Sequence, residues 1–276
     1  MTQAIKNLDK LCIHTITTKP LGFERACEKY ARLGVKGISI WQDAVEDMDP
    51  GMVKSTLANN GLIPVSYVRG GFFPSLKADK RQEAIGHNLG MLEEAAAMEI
   101  PMLVLVCGAE PGQRLEISRE QIRQGIEAIL PRARDLGVKL AIEPLHPMYA
   151  DTRSALTSLN QANDMAEYFA DDFLGVAVDV YHLWFDEDLE QQIRRCGERR
   201  NLFAFHLCDW KVPTTDMLND RGLMGEGCIP LRQIRSWVEE AGFAGFHEVE
   251  IFSHSYWSED QENFLEKIVN AYLKHC

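Results

Sequence analysis

The stretch ISREQIRQGIEAILPRARDLGVKLAIEP, residues 117–144, contains one helix pattern followed by one strand pattern. Apolar residues recur at helical spacing as far as Gly137, and the run VKLAIEP (138–144) is then short and apolar. A glycine directly after a helix is typical of the left-handed residue that ends it, whereas Pro131 could kink the helix. The stretch therefore predicts an α-helix that leads into a buried strand.

The same alternation of helix and strand patterns runs through the whole chain. Further helix patterns span 23–34, 80–98 and 231–242. Glycines that could end a helix before a strand also stand at Gly34, Gly61 and Gly242. The candidate strands are KLCIHTIT (10–17), VKGISIW (35–41), LIPVSYV (62–68), PMLVLVC (101–107), VKLAIEP (138–144), LGVAVDV (174–180), LFAFHLC (202–208) and FHEVEIF (246–252).

This pattern decides the fold class. Eight strand–helix units without a linker or a low-complexity segment favour a closed parallel barrel over an open doubly wound sheet, which stays the alternative. The chain has 276 residues, and barrels of this kind typically have about 250. The pair Gly70-Gly71 lacks the spacing of a dinucleotide-binding loop. We therefore predict an α/β fold in which residues 1–276 form a single (β/α)8 TIM barrel domain.

Composition limits the classes of partner. Lys and Arg total 29 against 41 Asp and Glu, a net charge of −12, and such a field repels phosphate polyanions, so no nucleic acid partner is expected. No stretch approaches about 18 apolar residues, and the first residues lack a secretion signal, so we expect no membrane partner and a cytoplasmic location. Seven cysteines without a C-x-x-C pair suit a reducing compartment.

Four neighbouring strands carry a polar side chain near the end of an apolar run. These side chains are Glu143 in LAIEP, Asp179 in VAVDV, His206 in FAFHLC and Glu250 in EVEIF. Chemistry in barrel enzymes lies at the C-terminal ends of the strands. Strand alternation also places a small residue two positions before three of them, which leaves room in the barrel. Glu248 faces the same side as Glu250, but Glu250 lies nearer the strand end and is preferred.

The four side chains together indicate a metal site. Singly, each could instead cap a helix, form a salt bridge at the rim or pack in the core. Clustered carboxylates repel one another unless a cation neutralises them, and a divalent ion does so. Three oxygen donors and one imidazole suit Mn²⁺, Mg²⁺ or Co²⁺, and Zn²⁺ is also compatible. We expect one divalent ion, with Mn²⁺ favoured.

At these residues the chain resembles the xylose-isomerase-like barrels, in particular the sugar phosphate isomerase/epimerase family. The segments that carry the resemblance are LAIEPLHP, VAVDVYHLW, FAFHLCDW, GEGCIPL and EVEIFS, in the expected order. The resemblance implies that the same four residues hold the metal and that His182 contacts substrate. In epimerase members the two metal-bound glutamates lie on opposite faces of the substrate, which implies Glu143 and Glu250 here.

The chemistry of such a site follows from its parts. A metal chelated by a carbonyl and its neighbouring hydroxyl acidifies the adjacent C–H and stabilises the enediolate that forms. One glutamate would remove the proton and the other would return one. Return to the opposite face gives an epimer, and return to the neighbouring carbon gives an isomer. Together with this chemistry, the resemblance implies an isomerase or epimerase of a sugar, keto-sugar or sugar phosphate, with Glu143 and Glu250 as the acid/base pair.

Two departures from relatives of this family limit what can be carried over. Some ketose epimerases have a further glutamate six residues after the first metal ligand, where this chain has Tyr149. The substrate of those epimerases therefore does not transfer. The endonucleases of the family have extra histidines after strands three and four, where this chain has Arg69 and Cys107-Gly108. A nuclease centre with three metal ions is not expected.

Loops after the predicted strands supply further candidates for substrate contact. Aromatic faces suit the C–H surfaces of sugars, and Arg or Lys could bind a phosphate or a carboxylate. The candidates are Trp41, Arg69, His146, Arg153, Trp184, Lys211 and Arg221. The aromatic residues Phe72, Phe73, Tyr256 and Trp257 are expected to be exposed at the rim, where they could form a homo-oligomer contact or close over substrate.

Three other functions remain open from the sequence. The first alternative is a lyase with the same enediolate chemistry, either a keto-polyol dehydratase or an enzyme that eliminates from a 3-keto glycoside. A barrel that kept the fold and lost catalysis is the second. Phosphodiester hydrolysis is the third, and the acidic charge disfavours it.

Overall fold

A computed structural model describes residues 4–276, so residues 1–3 of the predicted domain lie outside the described residues. Eight parallel strands form a closed barrel, and a short antiparallel pair follows the seventh barrel strand. The strands are β1 (Leu11–His14), β2 (Gly37–Trp41), β3 (Ile63–Gly71), β4 (Met102–Val106), β5 (Lys139–Glu143), β6 (Leu174–Asp179), β7 (Leu202–Leu207), β8 (Asp209–Trp210), β9 (Arg221–Gly222) and β10 (His247–Val249). The order around the barrel is β1-β10-β7-β6-β5-β4-β3-β2, and β8 pairs with β9.

The helices lie between the strands, as the alternation predicts. They are α1 (Phe23–Leu33), α2 (Pro50–Asn60), α3 (Ala78–Ala97), α4 (Leu115–Leu136), α5 (Leu159–Phe169), α6 (Val180–Leu183), α7 (Leu189–Arg199), α8 (Leu231–Glu240), α9 (His254–Trp257) and α10 (Gln261–His275). Helix α4 continues through Pro131. Between residues 4 and 276 none of the helices is long and apolar enough to cross a membrane. The predicted (β/α)8 barrel is confirmed.

Local signals fix where the helices begin and end. Asp49 accepts hydrogen bonds from the backbone N–H groups of Gly51 and Met52 at the start of α2, which satisfies donors that the first turn leaves free. Gly61 and Gly137 follow α2 and α4 with φ of 62° and 72°. Left-handed backbone at a helix end favours glycine. Gly34 and Gly242 have φ of 82° and 92°, so all four predicted glycines have this conformation.

The inside of the barrel is lined by small and β-branched side chains below the C-terminal ends of the strands. Val68, Met102, Val104, Ala141, Ala177 and Ala204 form a buried apolar cluster that is distinct from the main core. Ala177 pairs with Ala204, and two residues later Asp179 pairs with His206. Because alternate residues of a strand share a face, the alanines lie below the polar residues and give them space.

A glycine in α4 lets the chain after β3 pack closely on the barrel. A Cβ added to Gly125 would come within 2.2 Å of the Phe73 ring, which is 1% exposed. We expect Gly125→Ala to lower the free energy of unfolding by about 1–3 kcal/mol, because overpacking forces the ring or the helix to move. Urea denaturation measures this change.

The matched control is Gly86→Ala in the neighbouring helix α3. Nothing lies within 4 Å of a Cβ at Gly86, which is exposed. Since glycine in a helix interior is less favourable than alanine, Gly86→Ala should raise stability by about 0.5–1 kcal/mol. Stabilisation by both substitutions would contradict the close packing of Phe73 on α4.

Candidate active site

Four side chains from consecutive barrel strands meet at the C-terminal end of the barrel. Glu143 and Asp179 end β5 and β6, His206 lies in β7, and Glu250 follows β10 directly. Each offers one donor atom, and these atoms all lie within 4.8 Å of one another. All four side chains are buried. We call these residues the acidic quartet.

The acidic quartet fits a divalent metal ion. It supplies three carboxylates and one imidazole, and His206 Nδ1 lies 2.9 Å from Glu143 Oε1. Burial strengthens the repulsion between carboxylates, so such a cluster requires positive charge close by. Oxygen donors with one imidazole are a donor set that divalent ions such as Mn²⁺ and Zn²⁺ accept.

Two side chains from outside the acidic quartet supply part of the positive charge. Arg221 Nη1 donates to Asp179 Oδ2 at 3.1 Å and to Glu250 Oε2 at 2.8 Å. His14 Nδ1 lies 3.1 Å from Glu250 Oε1. Burial alone would raise the pKa of Glu250, but His14 and Arg221 hold it well below its usual range. Glu250 is therefore a carboxylate at neutral pH.

The imidazole of His206 lies between Glu143 of the acidic quartet and Glu248 beneath it. Burial lowers its pKa, but Glu248, Glu143 and Glu250 outweigh this effect and raise the pKa to about 10. Its Nε2 lies 3.8 Å from Glu248 Oε2, below the acidic quartet. The fully buried rings of His14 and His206 meet edge to face with centroids 4.8 Å apart.

Glu248 belongs to a buried polar network beneath the acidic quartet. Its Oε2 accepts hydrogen bonds from Ser39 Oγ at 2.6 Å and Ser66 Oγ at 3.0 Å. His14 Nε2 lies 3.2 Å from the same oxygen. These partners come from β1, β2 and β3, so the network joins the first strands of the barrel to its last. Glu248 is thus held below the site, and Glu250 stands within it.

His182 is a neutral donor beside the acidic quartet. Burial is the largest cause of a pKa lowered to about 3; Asp179 opposes this shift, and Arg221 adds to it. Its Nε2 lies 3.2 Å from Arg221 Nη2. A guanidinium only donates, so Nε2 accepts and the proton is on Nδ1. This buried Nδ1–H has no hydrogen-bond partner in the described part of the chain.

A narrow cavity of ≈ 20 Å³ opens beside the acidic quartet. A wider depression of ≈ 790 Å³ lies at the opposite end of the barrel and contains none of these four residues. The chemistry-bearing side chains identify the narrow cavity as the candidate site. Its lining includes Trp41, Arg69, Val106, Glu143, Leu145, Tyr149, Arg153, His182, Leu218, Arg221, Glu250 and Phe252.

Three predicted substrate contacts do not line this cavity. The His146 ring meets Phe185 edge to face with centroids 4.5 Å apart and lies tilted against Trp210 at 5.3 Å, in an aromatic cluster that also contains Trp184. Lys211 Nζ pairs with Asp220 Oδ1 at 3.1 Å instead of facing the site. The loops after the strands turn these side chains toward neighbours in the loop layer.

The expectation of exposed rim aromatics is wrong for Phe73 and Tyr256. Phe73 is 1% exposed and Tyr256 6% exposed. Phe73 packs on Gly125, while Tyr256 stacks on Phe264 with ring centroids 4.4 Å apart. Phe72 is 38% exposed. Only an exposed ring can serve an external contact, so Phe73 and Tyr256 are not available for one.

Sequence reasoning missed His14 and the tyrosines at the rim. His14 ends β1 after an apolar run, so the rule used for the last four strands would also have found it. The hydroxyls of Tyr149 and Tyr181 both donate to the backbone carbonyl of Met217. That carbonyl lies in the segment between β8 and β9. The contacts join residues that are 68 and 36 positions apart in sequence, so no local pattern predicts them.

Comparison with known proteins gives consistent matches over the whole barrel. Residues 27–270 match the family described as xylose isomerase-like TIM barrel. An inosose isomerase of Halalkalibacterium halodurans is 26% identical over 275 residues, which cover 93% of each chain. Protein SMc04130 from Sinorhizobium meliloti 1021 has a TM-score of 0.94 at 41% identity, covering 98% of this chain and 99% of that one. The IOLI protein with a bound zinc atom has a TM-score of 0.83 at 20% identity, covering 97% and 99%, and this likeness shows the fold.

Proposed function

We propose that this chain, which belongs to the xylose isomerase-like TIM barrel family, is a divalent-metal-dependent isomerase or epimerase of a sugar, keto-sugar or sugar phosphate. The observation that carries the proposal is the acidic quartet, with four donor atoms within 4.8 Å of one another at the C-terminal end of the barrel. The relative named inosose isomerase, which spans nearly the same length, supports the reaction class.

The proposed cofactor is one divalent ion held by the acidic quartet, with Mn²⁺ favoured and Mg²⁺, Co²⁺ or Zn²⁺ compatible. When bound, such an ion acidifies the C–H beside a chelated carbonyl and stabilises the enediolate left by deprotonation. Asp179 and His206 lie on β6 and β7, between the strands of the two glutamates. Their proposed role is to hold the ion.

Glu143 and Glu250 are the proposed acid/base pair. They stand on β5 and after β10, so the strands β6 and β7 separate them around the barrel rim. This separation lets a substrate between them present one face to each carboxylate. Glu250 is ionised, as a base must be, because His14 and Arg221 lower its pKa. A proton removed by one carboxylate and returned by the other gives the epimer.

The remaining residues of the cavity position the substrate in this proposal. His182 offers the Nδ1–H that has no protein partner among residues 4–276, and it is available to a substrate oxygen. Trp41 offers an aromatic face beside Arg69. Arg221 anchors Asp179 and Glu250, and a donor already fixed on the reacting carboxylates can also orient a substrate hydroxyl.

Metal content and hydrogen exchange test the proposal. Protein purified without chelator and reloaded with Mn²⁺ is expected to hold about one ion per chain by elemental analysis, and to melt at a higher temperature than chelated protein. The loaded protein should exchange the hydrogen beside the carbonyl of a keto-sugar with deuterium, and chelation should stop the exchange.

The control for this experiment is His206→Ala, which removes a proposed ligand and should lower both metal content and exchange. Loss of water or of an aglycone from the substrate would indicate the lyase alternative. Metal content far below one ion per chain after reloading, together with no exchange, would refute the proposed function.

A further inference from the structure

Two arginines line the cavity without an acidic partner. Arg69 in β3 and Arg153 before α5 border the same cavity as Glu143 and Glu250. Across residues 4–276, no carboxylate oxygen lies within 4.0 Å of either guanidinium, so neither forms a salt bridge. Neither guanidinium donates a hydrogen bond to another group among these residues. Burial, followed by the charge of Arg153, lowers the pKa of Arg69. Glu250, Glu143 and Asp43 oppose this shift from a distance, but neither arginine forms an ion pair with them.

The negative charges of the acidic quartet are paired with groups other than Arg69 and Arg153. The acidic quartet contributes three negative charges, and Arg221 pairs with two of its carboxylates. A divalent ion together with Arg221 offsets all three. With the ion bound, the carboxylates of the cavity are held by the ion, Arg221 and His14, and Arg69 and Arg153 have no ion-pair partner among the residues that line the cavity. In a chain of net charge −12, such an unpaired arginine pair is a binding feature rather than a general surface property.

Aromatic rings cover the faces of both guanidinium groups. Arg69 Cζ lies 5.5 Å from the Trp41 ring centroid and 4.8 Å from that of Phe72. Arg153 Cζ lies 5.6 Å from the Tyr149 centroid. Stacking occupies the faces and leaves the N–H edges, which are the parts that bind a carboxylate or phosphate with two parallel hydrogen bonds.

The end of β4 holds the two segments that carry this pair. On one side, Phe72 N–H donates to Val106 O at 2.9 Å, three residues after Arg69. On the other side, Gly108 N–H donates to the carbonyl of Arg153 at 2.8 Å. Gly108 has φ of 91°, and a Cβ there would lie 2.7 Å from Phe72 Cα. The two backbones are thus fixed against one strand end before any ligand binds.

We infer that Arg69 and Arg153 form a binding site for an anionic group on the substrate, a carboxylate or a phosphate, beside the acidic quartet. The inference rests on the proposed function, because it names the substrate class of the same site. The enzyme then prefers an acidic keto-sugar or a keto-sugar phosphate to the neutral sugar of the same skeleton.

Three probes with one carbon skeleton test this inference. They are neutral D-fructose, D-fructuronate with a carboxylate at C6, and D-fructose 6-phosphate. Calorimetry on the Mn²⁺-loaded protein is expected to show one of the two anions binding at least about tenfold more tightly than D-fructose, as charge-assisted bidentate bonds allow. Which anion binds more tightly distinguishes a carboxylate from a phosphate site.

Substitutions then assign the preference to the two arginines. Arg69→Met and Arg153→Met should each weaken binding of the preferred anion by about tenfold, and by clearly more than they weaken binding of D-fructose. Arg69→Lys keeps the charge but loses the fork, so its loss should be smaller. The control is Arg123→Met, since Arg123 pairs with Glu120 and Glu127 on α4 and should leave all three affinities unchanged.

The outcomes separate this inference from the proposed function. Equal binding of the three probes by the unaltered protein, or unaltered anion binding by both methionine variants, overturns the anion site. If metal binding and deuterium exchange into D-fructose persist in that case, the proposed function stands. If the arginines bind the anion but the protein holds no metal and exchanges no hydrogen, the anion site stands and the proposed function fails.

Discussion

Replacing Glu250 by glutamine is expected to lower turnover by about 10²–10⁴-fold while a metal ion remains bound, because general acid–base catalysis contributes about that much. Glutamine keeps an oxygen for the ion but cannot accept a proton. Glu143→Gln should have the same effect for the same reason. Deuterium exchange measured by NMR gives the rate, and elemental analysis of the same preparation gives the metal content.

The control for these variants is Glu248, two residues before Glu250. Glu248→Gln removes a charge from the network of Ser39, Ser66 and His14, 3.8 Å from His206, and leaves the three carboxylates of the acidic quartet in place. It should slow exchange far less than Glu250→Gln. Full activity in both Glu143→Gln and Glu250→Gln would refute the acid/base assignment. A larger loss in Glu248→Gln than in Glu250→Gln would indicate that Glu248 is the acid/base residue instead of Glu250.

Replacing Arg221 by methionine is expected to destabilise the metal-free protein by about 3–5 kcal/mol, the usual cost of removing one partner from a buried ion pair. Arg221 is 3% exposed and donates to Asp179 and Glu250, which are themselves buried. The substitution leaves these two carboxylates without their nearest cation. Urea denaturation in the presence of a chelator measures the loss.

Metal should rescue part of this loss, and a surface pair provides the comparison. An ion in the acidic quartet offsets the same carboxylates, so the destabilisation by Arg221→Met should shrink in Mn²⁺. Arg195→Met breaks pairs with Asp164 and Glu167 near the surface, and exposed pairs contribute about 0–1 kcal/mol. A loss for Arg221→Met no larger than that for Arg195→Met would contradict the buried network.

The barrel was predictable because its signals are local. Helical spacing, an ending glycine and a short apolar run occur together within the stretch 117–144, and each is decided by neighbours in sequence. The acidic quartet was also within reach, since parallel strands bring their C-terminal ends to one rim. Glu143 and Asp179 could be identified by one rule, that a polar residue at the C-terminal end of a barrel strand is a candidate for the active site.

Contacts made by the loops were not predictable in this way. Arg221 pairs with Asp179 across 42 residues of sequence and with Glu250 across 29, and no periodicity encodes which carboxylate it meets. Lys211, at the other end of the same hairpin loop, pairs with Asp220. The expectation of an exposed Phe73 is wrong because the burial of its ring depends on a glycine in α4, far along the chain, which the local sequence does not reveal.

The Met217 carbonyl, which accepts hydrogen bonds from the hydroxyls of Tyr149 and Tyr181, bears on access to the cavity. The cavity of ≈ 20 Å³ holds about one or two waters, whereas a sugar requires a pocket several times larger. Leu218, next to Met217, forms part of the cavity wall. Under the proposed function, admission of a sugar would require Leu218 and the adjoining Met217 carbonyl to shift, and that shift would break both tyrosine hydrogen bonds.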